Sequence, residues 1–139
     1  MKPTAEHSAN RFKTIITEAA NRAEVTALLI RCGYRVYRPE ADSHGEDLIV
    51  RTPSTELRAV QLKGRPVVNQ KYLGKSNIWM LFPSQRYKSS SPRSWYFVPH
   101  GVLYKWMKKR HGHTWKRGWS CNMTRELSAF LEQWKLRET

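Results

Sequence analysis

Apolar positions along the chain follow two rhythms, one helical and one extended. From Thr4 to Cys32, the residues Phe12, Ile15, Ile16, Ala19, Ala20, Ala23, Ala27 and Ile30 recur at spacings of three and four, the signature of an amphipathic helix. Gly33 follows as a natural C-terminal stop. Tyr34 to Arg38 (YRVYR) then alternates as a short strand closed by Pro39 and the polar stretch EADSHG. Two further runs, DLIVR and LRAVQLK, are separated by TPSTE, a connection suited to a β-hairpin.

After Gly64-Arg65-Pro66 the pattern turns irregular until Asn77 to Phe82 (NIWMLF), which reads as a buried strand. PSQRYKSSSPRS is a polar, basic loop, and Trp95 to Pro99 (WYFVP) is another strand. His100 to Arg110 has helical spacing, with Leu103, Trp106 and Met107 directed inward and Lys105, Lys108, Lys109 and Arg110 outward. A last helix begins near Thr124, its apolar stripe formed by Leu127, Phe130, Leu131 and Trp134. The order helix, strand, hairpin, strand, strand, helix, helix predicts an α/β (α+β) fold, with one central mixed sheet of about four to five strands flanked by helices. The breaks are loop-sized, so residues 1–139 are expected to form one domain, a core over about 5–99 followed by a basic helical part over about 100–139.

Charge changes the picture more than composition does. The 139 residues include 25 Lys and Arg against 11 Asp and Glu, a formal charge of +14. Such an excess repels itself in an isolated chain and points to a polyanionic partner. No apolar run is long enough to span a bilayer, and the start MKPTAEHSANRFK lacks an apolar signal core, so the expected partner is nucleic acid, with no membrane. Cys32 and Cys121 are far apart and form no CxxC pair, as expected of reduced cysteines in a cytoplasmic, nucleoid-associated protein. Cys121 with His100, His111 or His113 matches no regular zinc spacing, and these histidines read as surface residues of a basic loop.

One constellation carries chemistry. Glu24 borders the apolar stripe, with Ala20, Ala27 and Leu28 as its helical neighbours, and a carboxylate buried there must be paired, protonated or metal-bound. At the margin of the stripe it could also reach water. Glu18, flanked by Thr14, Asn21 and Arg22, reads as a solvated helix residue. On the hairpin, alternation puts Asp47, Ile49 and Arg51 on one face and Leu57, Ala59, Gln61 and Lys63 on a shared face of the next strand. With TPSTE as the turn, Arg51 pairs with Leu57, Asp47 falls opposite Gln61, and Lys63 projects one step beyond. An Asp–Lys ion pair at a sheet margin is the plainer use of such residues. Phosphodiester hydrolysis is the sharper one: Asp47 and Glu24 supply hard oxygen ligands for Mg²⁺, Gln61 a weaker carbonyl oxygen, and Lys63 a cation to position water or meet developing negative charge.

The run AEVTALLIRCGYRVYRPEADSHGEDLIV, followed by AVQLK, resembles the PD-(D/E)XK nuclease superfamily. It is most similar to members whose last motif is Q-x-K, which include archaeal-type Holliday junction resolvases and a small group of intron homing endonucleases. The resemblance runs by motif over roughly residues 19 to 63 and by element order to Pro99. It implies a restriction-endonuclease-like fold and a magnesium-dependent phosphodiesterase site (with Mn²⁺ as a substitute) made of Glu24, Asp47, Gln61 and Lys63, with Glu24, Asp47 and Gln61 toward the metal. Two departures stand out. Glu46 precedes Asp47 where proline is common, and Gln61 occupies the position usually held by Asp or Glu.

Basic residues gather in two places suited to phosphate contacts. Arg65, Lys71 and Lys75 follow the site, and Arg86, Lys88, Arg93, Lys105, Lys108, Lys109, Arg110, Lys116 and Arg117 form the second group. Tyr72, Tyr87, Trp115 and Trp119 are interleaved and suited to stacking on bases, while Trp79, Trp95, Trp106 and Trp134 sit in core-like patterns. The sequence thus predicts a DNA endonuclease acting on double-stranded or branched DNA, with a homodimer as a natural way to offer two centres. Two other readings stay open: a non-catalytic DNA-binding subunit that keeps the nuclease fold, kept in view by Gln61, and a basic RNA-binding protein.

Overall fold

The computed structural model describes residues 5–40, 46–74, 77–87 and 92–138, with side chains from residue 9 onward. Helix α1 (Ala5–Arg31) leads into strands β1 (Arg35–Tyr37), β2 (Leu48–Arg51) and β3 (Leu57–Leu62). A short strand β4 (Val67–Asn69) precedes β5 (Ile78–Pro83) and β6 (Trp95–Pro99). Helix α2 (His100–His111), strand β7 (Gly118–Ser120) and helix α3 (Arg125–Leu131) complete the chain. The fold is α+β, as the pattern predicts, around a five-stranded mixed sheet of order β1-β2-β3-β5-β6. Only the β3–β5 pair is parallel.

The hairpin register follows from its turn. Arg51 pairs with Leu57 and Leu48 with Val60, where the ladder ends, and Asp47, just before β2, donates its N–H to the Val60 carbonyl at 2.8 Å. Thr52 closes the turn: its N–H donates to the Glu56 carbonyl at 2.8 Å, and its Oγ1 accepts from the Glu56 N–H at 3.0 Å.

Alternation divides the core into two layers. On one face of the sheet, Leu48, Val50, Val60, Leu81, Trp95 and Phe97 pack against Val25 and Leu29 of α1. On the other, Met80, Phe82, Tyr96 and Val98 pack against Leu103 and Met107 of α2 and Leu127 and Leu131 of α3. Strands β5 and β6 are buried on both faces and are apolar almost throughout, as expected for strands covered on two sides. The outer edge of β6 is covered by the C-terminal segment, where Leu136 donates to the Trp95 carbonyl at 2.9 Å and Lys135 bridges Tyr96. Thr124 caps α3 by accepting from the Leu127 N–H at 3.1 Å.

Helix α1 ends as the sequence predicts. Gly33, at φ +91°, donates to Ile30 and the next N–H, that of Tyr34, donates to Leu29, which is a Schellman closure. The buried face of α1 differs from the expected stripe. Phe12, Ile15, Ile16 and Ile30 are exposed, whereas Asn21, Val25, Leu29 and Cys32 are buried. These four recur at i, i+4, i+8 and i+11, a second stripe that the alanine- and isoleucine-rich one outnumbers in sequence.

The segment after Gly64 is also more ordered than its pattern suggests. β4 pairs antiparallel with β7, Val68 facing Trp119, and forms a separate two-stranded sheet. Asn69 then opens a single 3₁₀ turn over Gln70–Tyr72 by accepting from the Lys71 N–H. Among the described residues, no helix is long and apolar enough to cross a membrane.

Candidate active site

Asp47 and Lys63 lie one residue outside the strands, Asp47 before β2 and Lys63 after β3, at the same end of the hairpin. Each is anchored through the ladder. The Asp47 Oδ2 accepts a hydrogen bond from the Leu62 N–H at 2.8 Å, and the Lys63 N–H donates to the Leu81 carbonyl at 2.9 Å. The carboxylate of one strand is therefore tied to the backbone immediately before the lysine of the next.

Both residues line an open cleft of about 420 Å³. Its floor is Leu62 and Gly64, and Arg38 and Pro39 approach from the segment after β1. The third wall is α1, which contributes Glu18, Asn21 and Arg22. Glu46 adds another carboxylate beside Asp47. Three acids thus share one cavity with three cations: Glu18, Glu46 and Asp47 against Arg22, Arg38 and Lys63. Among the described residues, however, no three His, Cys, Asp or Glu side chains gather closely enough to hold a metal ion by themselves.

Glu24 does not reach this cleft. It lies nearly two turns beyond Glu18 on α1, and its carboxylate is taken by two other side chains. Arg93 donates to it twice, Nε to Oε2 at 3.1 Å and Nη2 to Oε1 at 3.0 Å, and the Trp95 indole N–H also donates to Oε2. Position on the helix decides the exchange. Glu18, Asn21 and Arg22 continue the buried line of Val25 and Leu29 toward the N-terminus, so the face that packs on the sheet also overlooks the sheet's end. Following that stripe backward is the sequence signal that puts Glu18 beside the cleft, where its side chain stays exposed.

Gln61 is not paired with Asp47: the ladder ends at Leu48 and Val60, the Asp47 N–H donates to the Val60 carbonyl, and Gln61 is only 4% exposed and does not line the cleft. It is paired along the sheet with Met80.

The predicted basic contacts divide into groups. Arg65 and Arg86 line a second groove of about 260 Å³ that shares Gly64 with the first. Lys71, Lys105, Lys108, Lys109, Arg110, Lys116 and Arg117 are exposed. Arg110 is partly occupied, paired with Glu126 at 2.8 Å and seated 4.3 Å from the Trp106 ring centre. Lys75 and Lys88 lie outside the described residues. Arg93 is buried rather than exposed. Its side chain is 2% exposed, and its remaining donors reach the Gln85 carbonyl at 3.1 Å and Asn21 Oδ1 at 2.7 Å, so it serves the interior and not a nucleic-acid surface.

The aromatic residues are also largely spent within the protein. Trp115 stacks on Tyr104 and Trp119 on His111, and Tyr72 is buried edge-on against His100. Of the interleaved four, Tyr87 is the one left exposed. His100 is not a surface histidine: it is 2% exposed and its Nε2 accepts from the Asn69 N–H at 3.1 Å. Burial pushes its imidazole down to about 4.

No protein-family model and no curated protein sequence matches the chain. Among solved structures it is similar to a bacterial homing endonuclease, I-Ssp6803I, at 15% sequence identity and a TM-score of 0.49, over 80% of this chain and 76% of that one.

Proposed function

We propose that the chain is a metal-dependent endonuclease that hydrolyses phosphodiester bonds in DNA. The observation that carries this reading is the cleft at the joined ends of β2 and β3, where Asp47 is bonded to the strand that delivers Lys63 and α1 adds Glu18. The strong basic excess supplies the matching affinity for a polyanion.

The donor set suits Mg²⁺, a hard cation that takes one or two carboxylates and keeps several waters, so a cage of three protein acids is not required. Asp47 and Glu18 are the residues that would hold it, with Glu46 beside them. When bound, such an ion polarises the phosphoryl group and lowers the pKa of a coordinated water. Lys63 presents its ammonium to the same cavity, where it meets negative charge developing on the phosphoryl oxygens or takes part in moving the proton of the attacking water. Arg22 and Arg38 on the cleft walls, and Arg65 and Arg86 in the adjoining groove, hold neighbouring phosphates by charge. Gln61 is buried within β3, paired with Met80, and has no part in this chemistry.

A second reading is favoured by one observation. The absence of a three-acid cluster among the described residues, together with the withdrawal of Gln61 from the cleft, fits a DNA-binding module that keeps the fold without cutting. Incubation of supercoiled plasmid and of a four-way junction with the protein, in Mg²⁺, Mn²⁺ or a chelator, separates the two. Metal-dependent cleavage supports the nuclease; tight binding with intact DNA under every metal condition supports the module. Preference for the junction would extend the reading to branched DNA, and coupled cutting of both strands would extend it to paired copies of the chain.

A further inference from the structure

The cleft contains one polar group that the proposed chemistry leaves unused. Asn21 is 4% exposed, lies on the face of α1 that overlooks the site, and lines the cavity with Asp47 and Lys63. Its amide has a chemically fixed orientation. A guanidinium carries donors only, so the Asn21 atom that Arg93 Nη2 meets at 2.7 Å has to be the carbonyl oxygen. The amide NH₂ therefore points the other way. It lies 3.6 Å from where a Cβ on Gly64 would stand, and the missing side chain there leaves it open to the cleft. Among the described residues it donates to no protein acceptor.

Arg93 is itself held by both Glu24 oxygens and the Gln85 carbonyl. An oriented donor at the wall of a cavity is poised for an acceptor supplied from outside. We propose that Asn21 is a substrate-binding residue, donating through Nδ2 to a phosphate oxygen of the nucleic acid, with Arg93 as the positioning residue that sets its amide. The proposal rests on the functional reading above for what fills the cleft. It also explains why Glu24 is paired with a buried arginine: the pair is the anchor of a donor, not a part of the metal site.

Two substitutions distinguish this from a purely structural asparagine. Asn21→Asp presents Arg93 with a better acceptor, so thermal stability holds or rises, but the donor is gone. Asn21→Leu removes the donor without adding charge. The proposal expects both variants, at temperatures where each is folded, to bind a short fluorescent duplex DNA roughly 10- to 100-fold more weakly than wild type, as expected for a lost hydrogen bond to a charged group. Single-turnover cleavage with Mg²⁺ should fall alongside. Wild-type affinity in either variant overturns the assignment, as does a wild-type protein that does not bind DNA. If wild type binds but never cleaves, while both variants still lose affinity, the nuclease reading fails and the role of Asn21 in binding stands.

Discussion

Arg93, at 2% side-chain exposure, holds Glu24 with two hydrogen bonds across the interface between α1 and the segment leading into β6. Sixty-nine residues separate the partners. The pair fixes how α1 seats on the sheet, and hence which α1 side chains overlook Asp47 and Lys63. Removing the acid leaves a buried cation short of its counter-charge, at a cost of about 3 kcal/mol. Glu24→Ala should therefore lower the Tm by roughly 10 °C. Below that temperature its DNA cleavage should fall less than that of Asp47→Ala, because Arg93 keeps the Gln85 carbonyl and Asn21 Oδ1 as partners. Calorimetry and a nicking assay on the same preparation check both halves.

The basic groove predicts a graded response to salt. The logarithm of duplex affinity should fall linearly with the logarithm of salt concentration, and each phosphate-contacting cation should carry about one unit of the slope. Arg65→Ala and Arg86→Ala, which open onto the groove beside the cleft, should each flatten the slope by about 1. Arg110→Ala should change it less, because Glu126 already neutralises that guanidinium. Fluorescence anisotropy titrations over a salt series measure all three.

His100 gives the fold a pH dependence of defined sign. Its folded pKa of about 4 lies below the ordinary value of 6.5, because burial disfavours the cation. The folded state therefore binds fewer protons than the unfolded chain between those values. The contribution is complete above about pH 6.5 and is lost as the pH falls toward 4, with an upper bound of about 3 kcal/mol. Denaturant melts between pH 7 and pH 4 should show this decline, and His100→Gln should show a shallower one.

Much of this arrangement is legible in the sequence where spacing is strict. The five-residue TPSTE turn and the alternation in DLIVR and LRAVQLK fix the Arg51–Leu57 register, and with it the shared strand end of Asp47 and Lys63. WYFVP reads as a strand because five consecutive β-favouring or apolar residues are bounded by polar ones. Helix α1 misleads for a physical reason: it carries two apolar stripes, and the buried one contains a polar residue, Asn21. The longer stripe through Phe12 and Ile16 points outward, so the sequence does not show which α1 side chains face the cleft, although Glu18 is exposed as its neighbours predict. The Arg93 ion pair could not be read locally, since its partner is far away in sequence and its own surroundings, SSPRS, resemble a basic loop. Strands β4 and β7 are three residues each, too short for alternation to register.

The central claim is that cleavage chemistry resides in the cleft of Asp47, Lys63 and Glu18, and not at Glu24. Single-turnover nicking of supercoiled plasmid with Mg²⁺ tests it most directly when wild type is compared with Asp47→Ala, Lys63→Ala, Glu18→Gln and Glu24→Gln, each at a temperature where the variant is folded. The account predicts that Asp47→Ala and Lys63→Ala lose roughly 100-fold or more in rate. Glu18→Gln should lose at least about tenfold, and Glu24→Gln should stay within a few-fold of wild type. Cleavage that survives Asp47→Ala and Lys63→Ala, or that collapses in Glu24→Gln while Glu18→Gln cuts normally, would contradict it.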